Sequence, residues 1–189
     1  MKTIEVRRHS IRDRASQDLS EQGVALARII GADLGPFQYV VTSTVPRASQ
    51  TAVAMGFQVD EQVELLNTYG DVVEAEIPWP ADFSEYATPL RRAGGAPARY
   101  AGRLMEFYTR IAQEKLPEPG AALVITHGGV VEIGAVACLP EAQHDTWGDY
   151  VECLEGVRLF WQNGKFVRAE MLRGRMGVPL RARPSTRFK

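Results

Sequence analysis

The sequence predicts one α/β domain with a mainly parallel sheet, and three patterns support this prediction. First, apolar segments of strand length alternate with segments of helical periodicity. Second, residues 121–126 are apolar almost throughout, as in parallel strands that are covered on both faces. Third, Asn163-Gly164 separates two alternating segments, 156–161 and 165–170, which indicates a β-hairpin that contributes edge strands. The 189 residues suit a single domain with an insertion, although two small domains are also compatible with this length.

The first half of the chain contains two strand-helix units. Residues 3–8 alternate like a strand and lead into a polar loop. Ser20 is placed to cap a helix, and Gly35-Pro36 ends that helix. Residues 37–42 have the composition of a buried strand, and Pro46 suits the first turn of the next helix. Each of the two strands therefore ends in polar residues.

Residues 57–96 interrupt this alternation. They are rich in proline, glycine, alanine and aromatic residues, and only a short strand or turn is expected within them, at 63–66. Long irregular segments inside compact domains are usually lids or mobile linkers, so we expect an excursion over a ligand site. Its aromatic residues either recognise a substrate or pack the segment, and packing is the simpler expectation for Trp79, Phe83 and Tyr86.

Regular structure resumes after this segment. Apolar residues between 97 and 112 follow the spacing of one helical face. The strand at 121–126 runs into His127-Gly128-Gly129, and residues 130–136 have the composition of a further helix. A third strand therefore ends in a polar side chain.

Composition and charge exclude several classes of protein. The 22 basic and 23 acidic residues nearly cancel, which argues against nucleic acid or a membrane surface as a partner. No apolar run reaches membrane-spanning length, and the charged start of the first strand leads us to expect no signal peptide. Cys138 and Cys153 lack CxxC or metal-ligand spacing, so we expect a reduced, cytoplasmic protein without a metal or cofactor. The basic tail, residues 173–189, is expected to be a solvated or partner-facing end.

The polar groups at the three strand ends are the candidate functional residues. Arg8 and His9 follow the first strand, Arg47 follows the second, and His127 follows the third. Open α/β sheets bind ligands at the carboxyl ends of their strands, so these side chains are expected to surround one site. Paired guanidinium groups match a tetrahedral oxyanion, which points to a phosphoryl group.

An imidazole beside such arginines suggests covalent catalysis. It can attack phosphorus and carry the phosphoryl group briefly, which divides one difficult displacement into two easier ones. We expect the neighbouring arginine charges to keep His9 neutral and nucleophilic. We expect His127 to donate a hydrogen bond to the charge that develops in the transition state. No metal ion is required, because the arginines neutralise the phosphoryl oxygens.

The sequence also resembles a known family in four motifs, which occur in order between residues 3 and about 161. They are Arg8-His9-Ser10, Leu19-Ser20-Glu21-Gln22-Gly23, Ser43-x-x-x-Arg47-Ala48-x-x-Thr51-Ala52 and Thr126-His127-Gly128-Gly129. These motifs resemble the Arg-His-Gly, Leu-Thr-Glu-x-Gly, second-arginine and second-histidine motifs of the histidine phosphatase superfamily, which has the phosphoglycerate mutase-like fold.

This resemblance implies a three-layer α/β/α sandwich and a phosphohistidine intermediate on His9. It implies that Arg8, Arg47 and His127 contact the phosphate. Arg12 resembles the additional phosphate-binding arginine of the acid-phosphatase branch, and a solvated loop cation is its alternative role.

The sequence departs from the family motifs at two positions that bear on catalysis: the residue after the histidine and the general acid. Ser10 stands where the family has glycine after the histidine. The position of the general acid in mutase-like members is occupied by Thr68, so Glu74, or second Asp71, is the candidate acid, and an ordinary exposed side chain is the simpler role for Glu74. Without an acid, leaving groups that need a proton become poor substrates, and a phosphoramidate is affected less.

The predicted function is metal-independent hydrolysis of phosphomonoesters, or of a phosphoramidate, in a small molecule or a phosphoprotein. Two alternatives remain: a mutase of the phosphoglycerate type, and a protein that binds phosphate as a sensor without catalysis. A homodimer that pairs through the exposed hairpin edge is a further possibility.

Overall fold

Six strands form one sheet in the computed structural model, which describes residues 1–77 and 79–174. They are β1 (Lys2–Arg8), β2 (Tyr39–Thr42), β3 (Glu61–Gln62), β4 (Gly120–Thr126), β5 (Gly156–Gln162) and β6 (Lys165–Leu172). Their order across the sheet is β3-β2-β4-β1-β5-β6. The first four are mutually parallel, and the β5-β6 hairpin joins β1 in antiparallel fashion. The structure thus confirms a mainly parallel sheet with a carboxyl-terminal hairpin.

Six α-helices accompany the sheet in the described residues. They are α1 (Glu21–Gly31), α2 (Pro46–Ala54), α3 (Asp71–Glu76), α4 (Phe83–Arg91), α5 (Ala96–Arg110) and α6 (Val130–Cys138). The predicted cap of α1 is present, since the Ser20 side chain accepts a hydrogen bond from the Gly23 amide at 3.0 Å. No helix in this part of the chain is both long and apolar enough to cross a membrane.

The helices cover both faces of the sheet, because alternate residues of each strand face opposite sides. In β4, Val124 packs against a large core that includes residues of α3 to α6. Its neighbours Leu123 and Ile125 belong to a smaller core with α1 and α2. Two cores separated by one sheet form the three-layer α/β/α sandwich that the family resemblance implied.

The segment 57–96 is more regular than its composition predicted. It contains a 3-10 turn at Glu64–Leu66 in addition to α3 and α4. The six residues of α3 are too few to show a periodic pattern, and α4 contains Pro89 and is followed by Gly94 and Gly95, so its sequence resembles a loop. Phe83 and Tyr86 are completely buried, so the packing role predicted for them is correct. The role of the segment as a lid remains a prediction.

The start of the basic tail is structured. Arg173 donates hydrogen bonds to the backbone carbonyls of Trp147, Asp149 and Tyr150, at 2.8, 2.6 and 3.0 Å. It also forms an ion pair with Glu155. Arg173 is therefore engaged with the loop before β5 and is not simply solvated. Residues 175–189 of the predicted tail lie outside the described residues.

Candidate active site

Three strand ends meet at one edge of the sheet, as predicted. β1 and β4 are parallel neighbours, with Arg8 opposite Thr126, and β2 lies on the other side of β4. Backbone pairing continues one residue beyond the strands, because the His9 amide donates to the Thr126 carbonyl at 2.8 Å. This pairing places the side chains of Arg8, His9, Arg47 and His127 around a single point.

The hydrogen bonds of His9 define its tautomer. Its Nδ1 lies 2.6 Å from the carbonyl oxygen of Ser10. A carbonyl oxygen only accepts hydrogen bonds, so Nδ1 carries the proton. The other nitrogen, Nε2, accepts a hydrogen bond from Nε of Arg47 at 2.9 Å. An unprotonated ring nitrogen of His9 is thus directed into the site.

His127 has the opposite arrangement. Its Nδ1 lies 3.1 Å from Nη2 of Arg47, and a guanidinium only donates, so this nitrogen is the acceptor. Its Nε2 lies 2.8 Å from the Ser43 hydroxyl and carries the proton. The centres of the His9 and His127 rings are 5.0 Å apart. One arginine therefore donates to both imidazoles.

Both histidines are held in the neutral form. The pKa of His9 is lowered to about 2, mainly by burial and also by the charges of His127, Arg47 and Arg8, while the Ser10 carbonyl acts in the opposite direction. Burial, followed by the charges of Arg47 and Arg8, lowers the pKa of His127 to about 3. The predicted effect of the arginines is present, but loss of solvation is the larger cause.

The arginine side chains lie close enough for their charges to repel one another. Burial lowers the pKa of Arg47, and the neighbouring charges of Arg12 and Arg8 add to this effect. Arg8 donates to the Val151 carbonyl at 3.0 Å, whereas its buried Nε has no hydrogen-bond partner within the described residues. A concentration of positive charge with an unused donor favours the binding of an anion.

A buried carboxylate that the sequence reasoning missed connects the two sides of the site. Glu132 is completely buried, and burial raises its pKa. Its oxygens accept hydrogen bonds from the Gly129 amide at 2.7 Å and the Val151 amide at 2.8 Å. It thereby connects the turn after His127 with the segment that binds Arg8. Its position three residues after Gly129, at the start of α6, is that of a capping-box acid, which was the available signal.

The loop after β1 closes another side of the site. Arg12 is exposed in this loop, and its charge lowers the pKa of Arg47, so Arg12 lies at the outer edge of the site. Its contact with phosphate remains a prediction. Gln17, which the sequence reasoning also missed, accepts hydrogen bonds from Arg47 through both its backbone carbonyl and its side-chain oxygen.

Ser10 fits in place of glycine because its side chain points away from the site. Its hydroxyl donates to the Gly23 carbonyl at 2.7 Å, and its amide donates to the Thr51 hydroxyl at 3.0 Å. The residue is completely buried. The serine side chain therefore attaches the loop after β1 to α1 without occupying space near His9.

The candidate acids, Asp71 and Glu74, both lie in α3. Glu74 and Asp71 are exposed, and neither makes a side-chain hydrogen bond or ion pair with any described residue of the site. Burial raises the pKa of Tyr69 to about 12, and the charge of Glu74 contributes to this shift. The Thr68 hydroxyl accepts from the Gly70 amide at 3.0 Å. The structure therefore places Glu74 near Tyr69 but not in contact with the histidines.

The family model for the histidine phosphatase superfamily, branch 1, matches residues 3–167. The chain belongs to this superfamily. The family resemblance and the phosphatase activity predicted from the sequence are thereby confirmed. Among curated proteins, none matches the sequence significantly. In the described residues, no group of three or more histidine, cysteine or acidic side chains is arranged to hold a metal ion.

Solved structures of the histidine phosphatase fold are similar over nearly the whole chain. A mycobacterial glucosyl-3-phosphoglycerate phosphatase in complex with VO3 has a TM-score of 0.65 and 19% identity, covering 92% of this chain and 100% of that chain. A phosphoserine phosphatase from Entamoeba histolytica has a TM-score of 0.64 and 13% identity, covering 93% and 98%. The α-ribazole phosphatase from Shigella flexneri has a TM-score of 0.61 and 16% identity, covering 91% and 96%. These similarities show the same fold.

Proposed function

We propose that this histidine phosphatase hydrolyses phosphomonoesters of small molecules without a metal ion, through a phosphohistidine intermediate at Nε2 of His9. The orientation of His9 is the observation that carries the proposal. Its Nε2 is unprotonated and directed at Arg47, while its Nδ1 proton is held by the Ser10 carbonyl. The names of the similar structures, which are phosphatases for phosphorylated metabolites, support small substrates.

When a phosphoryl group binds, its oxygens accept the hydrogen bonds that Arg47 otherwise donates to the two imidazoles. Arg47 turns its nitrogens from His9 and His127 to the phosphate, and Arg8 contributes its unused Nε. The dianion raises the pKa of the adjacent imidazoles. His127 then gains a proton at Nδ1 and donates to a phosphoryl oxygen, which supplies the donor that the sequence predicted.

The phosphoryl group is transferred in two displacements. In the first, Nε2 of His9 attacks phosphorus, a P–N bond forms, and the P–O bond to the leaving group breaks. The hydrogen bond from Nδ1 to the Ser10 carbonyl stabilises the positive charge that develops on the ring. In the second, water attacks phosphorus, the P–N bond breaks, and His9 and inorganic phosphate are released.

The proposal predicts that hydrolysis of p-nitrophenyl phosphate continues in excess EDTA, because guanidinium groups supply the positive charge. Released phosphate is measured over time with and without the chelator. A metal-dependent phosphatase in the same buffer serves as the control for chelation. Loss of turnover that added Mg²⁺ or Zn²⁺ restores would contradict a metal-independent mechanism.

We further propose that Glu74 protonates the leaving group. This role requires that α3, which carries Glu74, moves against the site when a substrate binds. A Glu74→Gln variant is expected to lower kcat/KM for benzyl phosphate by about 100-fold, since an alkoxide needs a proton. It should change hydrolysis of p-nitrophenyl phosphate little, since nitrophenolate leaves without one. Glu76→Gln, on the same short helix, is the matched control. Equal effects of Glu74→Gln on both substrates would exclude this role.

A further inference from the structure

Two aromatic rings pack directly against the turn that follows His127. A Cβ atom added at Gly128 would lie 2.7 Å from the indole nitrogen of Trp79, and one at Gly129 would lie 2.1 Å from the ring of Tyr69. Both distances are far shorter than any normal contact, so any side chain at either position would displace a ring. The two glycines thus allow aromatic side chains to lie against the backbone beside His127.

Trp79 also contacts the phosphate-binding arginine. Its ring centre lies 4.9 Å from Cζ of Arg8, in a cation–π contact. Its other neighbour is Tyr150, with ring centres 5.8 Å apart and an edge-to-face arrangement. We name Tyr69, Trp79 and Tyr150 the aromatic rim.

The exposure of Trp79 distinguishes it from the packing aromatics of the same segment. Its exposed fraction is 36%, whereas Phe83 and Tyr86 are 0% exposed. Tyr69 and Tyr150 are partly exposed as well. A large indole left partly open to solvent beside a charged cradle is available to a ligand. Trp79 therefore packs against its neighbours, as predicted, and also presents part of its ring to solvent.

The distances place Trp79 and Tyr69 beside two of the candidate phosphate-binding residues, Arg8 and His127. A phosphoryl oxygen bound by Arg8 lies about 2.8 Å from a guanidinium nitrogen. Because this guanidinium contacts the indole, a substituent on a phosphoryl oxygen at this side of the site would meet the ring of Trp79. An indole packs favourably against another aromatic ring. In such pairs the two ring centres are usually about 4.5 to 7 Å apart.

We propose that the aromatic rim binds an aromatic or heteroaromatic ring of the leaving group, and that Trp79 determines this specificity. The inference rests on the proposed function for the identity of the phosphate site. The substrates are then phosphomonoesters of ring-bearing alcohols, such as aryl-type phosphates or nucleoside monophosphates, rather than phosphates of small aliphatic alcohols.

Binding of phosphonates tests the inference independently of turnover, because the P–C bond is not hydrolysed. Isothermal titration compares benzylphosphonate with cyclohexylmethylphosphonate, which match in charge and approximate size and differ in the π system. The wild-type protein is expected to bind the benzyl compound about 10-fold more tightly. Trp79→Leu should remove this preference, and Trp79→Phe should retain most of it. Binding of inorganic phosphate, which has no ring, should weaken less in Trp79→Leu than binding of benzylphosphonate.

Three results would overturn the inference. Equal affinity of the wild type for both phosphonates would show that the rim does not recognise an aromatic ring. An equal loss for both phosphonates and for inorganic phosphate in Trp79→Leu would show that Trp79 only orients Arg8. A preference that persists in Trp79→Leu would place the recognition elsewhere. Val72→Ala, which changes an exposed apolar side chain of the same segment, is the control and should leave both affinities unchanged.

A second comparison identifies the source of the ring. In adenosine 5′-monophosphate and ribose 5-phosphate the phosphate is attached to the 5-oxygen of ribose in both cases, and only the nucleotide carries a base. A wild-type preference in kcat/KM for the nucleotide that disappears in Trp79→Leu assigns nucleotides, whereas a preference confined to benzyl phosphate assigns aryl-type esters. If no ester is hydrolysed while the phosphonate preference is present, the proposed catalytic function fails and the ring recognition stands.

Discussion

Replacement of His9 by alanine is expected to reduce hydrolysis of p-nitrophenyl phosphate by about 10⁴-fold or more, as in enzymes that lose their nucleophile. The physical reason is the loss of the unprotonated Nε2 that faces the arginines. The hydrogen bond of Nδ1 to the Ser10 carbonyl, at 2.6 Å, holds that nitrogen in place and stabilises the charged intermediate. Phosphate release is measured from the wild type and the variant at neutral pH.

Trapping of the intermediate makes the assignment to His9 specific. His127 also directs an unprotonated nitrogen at Arg47, so it is the competing nucleophile and provides the matched control. Rapid quenching with alkali after addition of ³²P-labelled substrate should leave an acid-labile label on the wild type. The label should be absent from His9→Ala and still form, more slowly, on His127→Ala. Label on His9→Ala but not on His127→Ala would make His127 the nucleophile.

Replacement of Arg47 by alanine is expected to weaken inhibition by inorganic phosphate and by vanadate about 100-fold or more. Each charge-assisted hydrogen bond contributes about 1.5 to 3 kcal/mol, and Arg47 presents at least two donors to the site. Turnover should fall as well, because the imidazoles lose the group that aligns them. Inhibition constants and kcat/KM are both measured with p-nitrophenyl phosphate.

Two further variants separate the charge of Arg47 from its geometry. Arg47→Lys keeps the charge but loses the planar pair of donors, so it should recover only a small part of the affinity. Arg103→Ala removes an exposed arginine from α5 and should leave both inhibition constants unchanged. Unchanged inhibition in Arg47→Ala would place this residue outside the phosphate site.

The convergence of the four site residues was predictable because it follows from topology. Parallel strands end at the same edge of a sheet, so Arg8, His9, Arg47 and His127 meet once their strands pair. The α/β alternation and the hairpin at Asn163-Gly164 were predictable for a similar reason. Each depends on a local pattern of residues, and the sheet then assembles these local units in order.

Other features of the site depend on contacts between distant segments. Arg8 is oriented by the carbonyl of Val151, 143 positions along the chain, and a backbone carbonyl has no sequence signature. Glu132 accepts hydrogen bonds from two backbone amides, and a backbone amide also has no sequence signature. The helix α3 was missed because six residues carry too little periodicity, and α4 was missed because Pro89 lies within it and glycines follow it.

The sequence by itself determined the class of fold, the order of the motifs and the chemical groups that gather at the sheet edge. Only the tertiary structure decided which nitrogen of His9 is unprotonated, and why both histidines are neutral. The tautomer depends on the Ser10 carbonyl, and the neutrality depends mainly on burial. The tertiary structure also decided that Trp79 is partly exposed beside Arg8, whereas Phe83 is buried. Burial and orientation belong to the assembled chain, because they are set by the segments that pack around each residue.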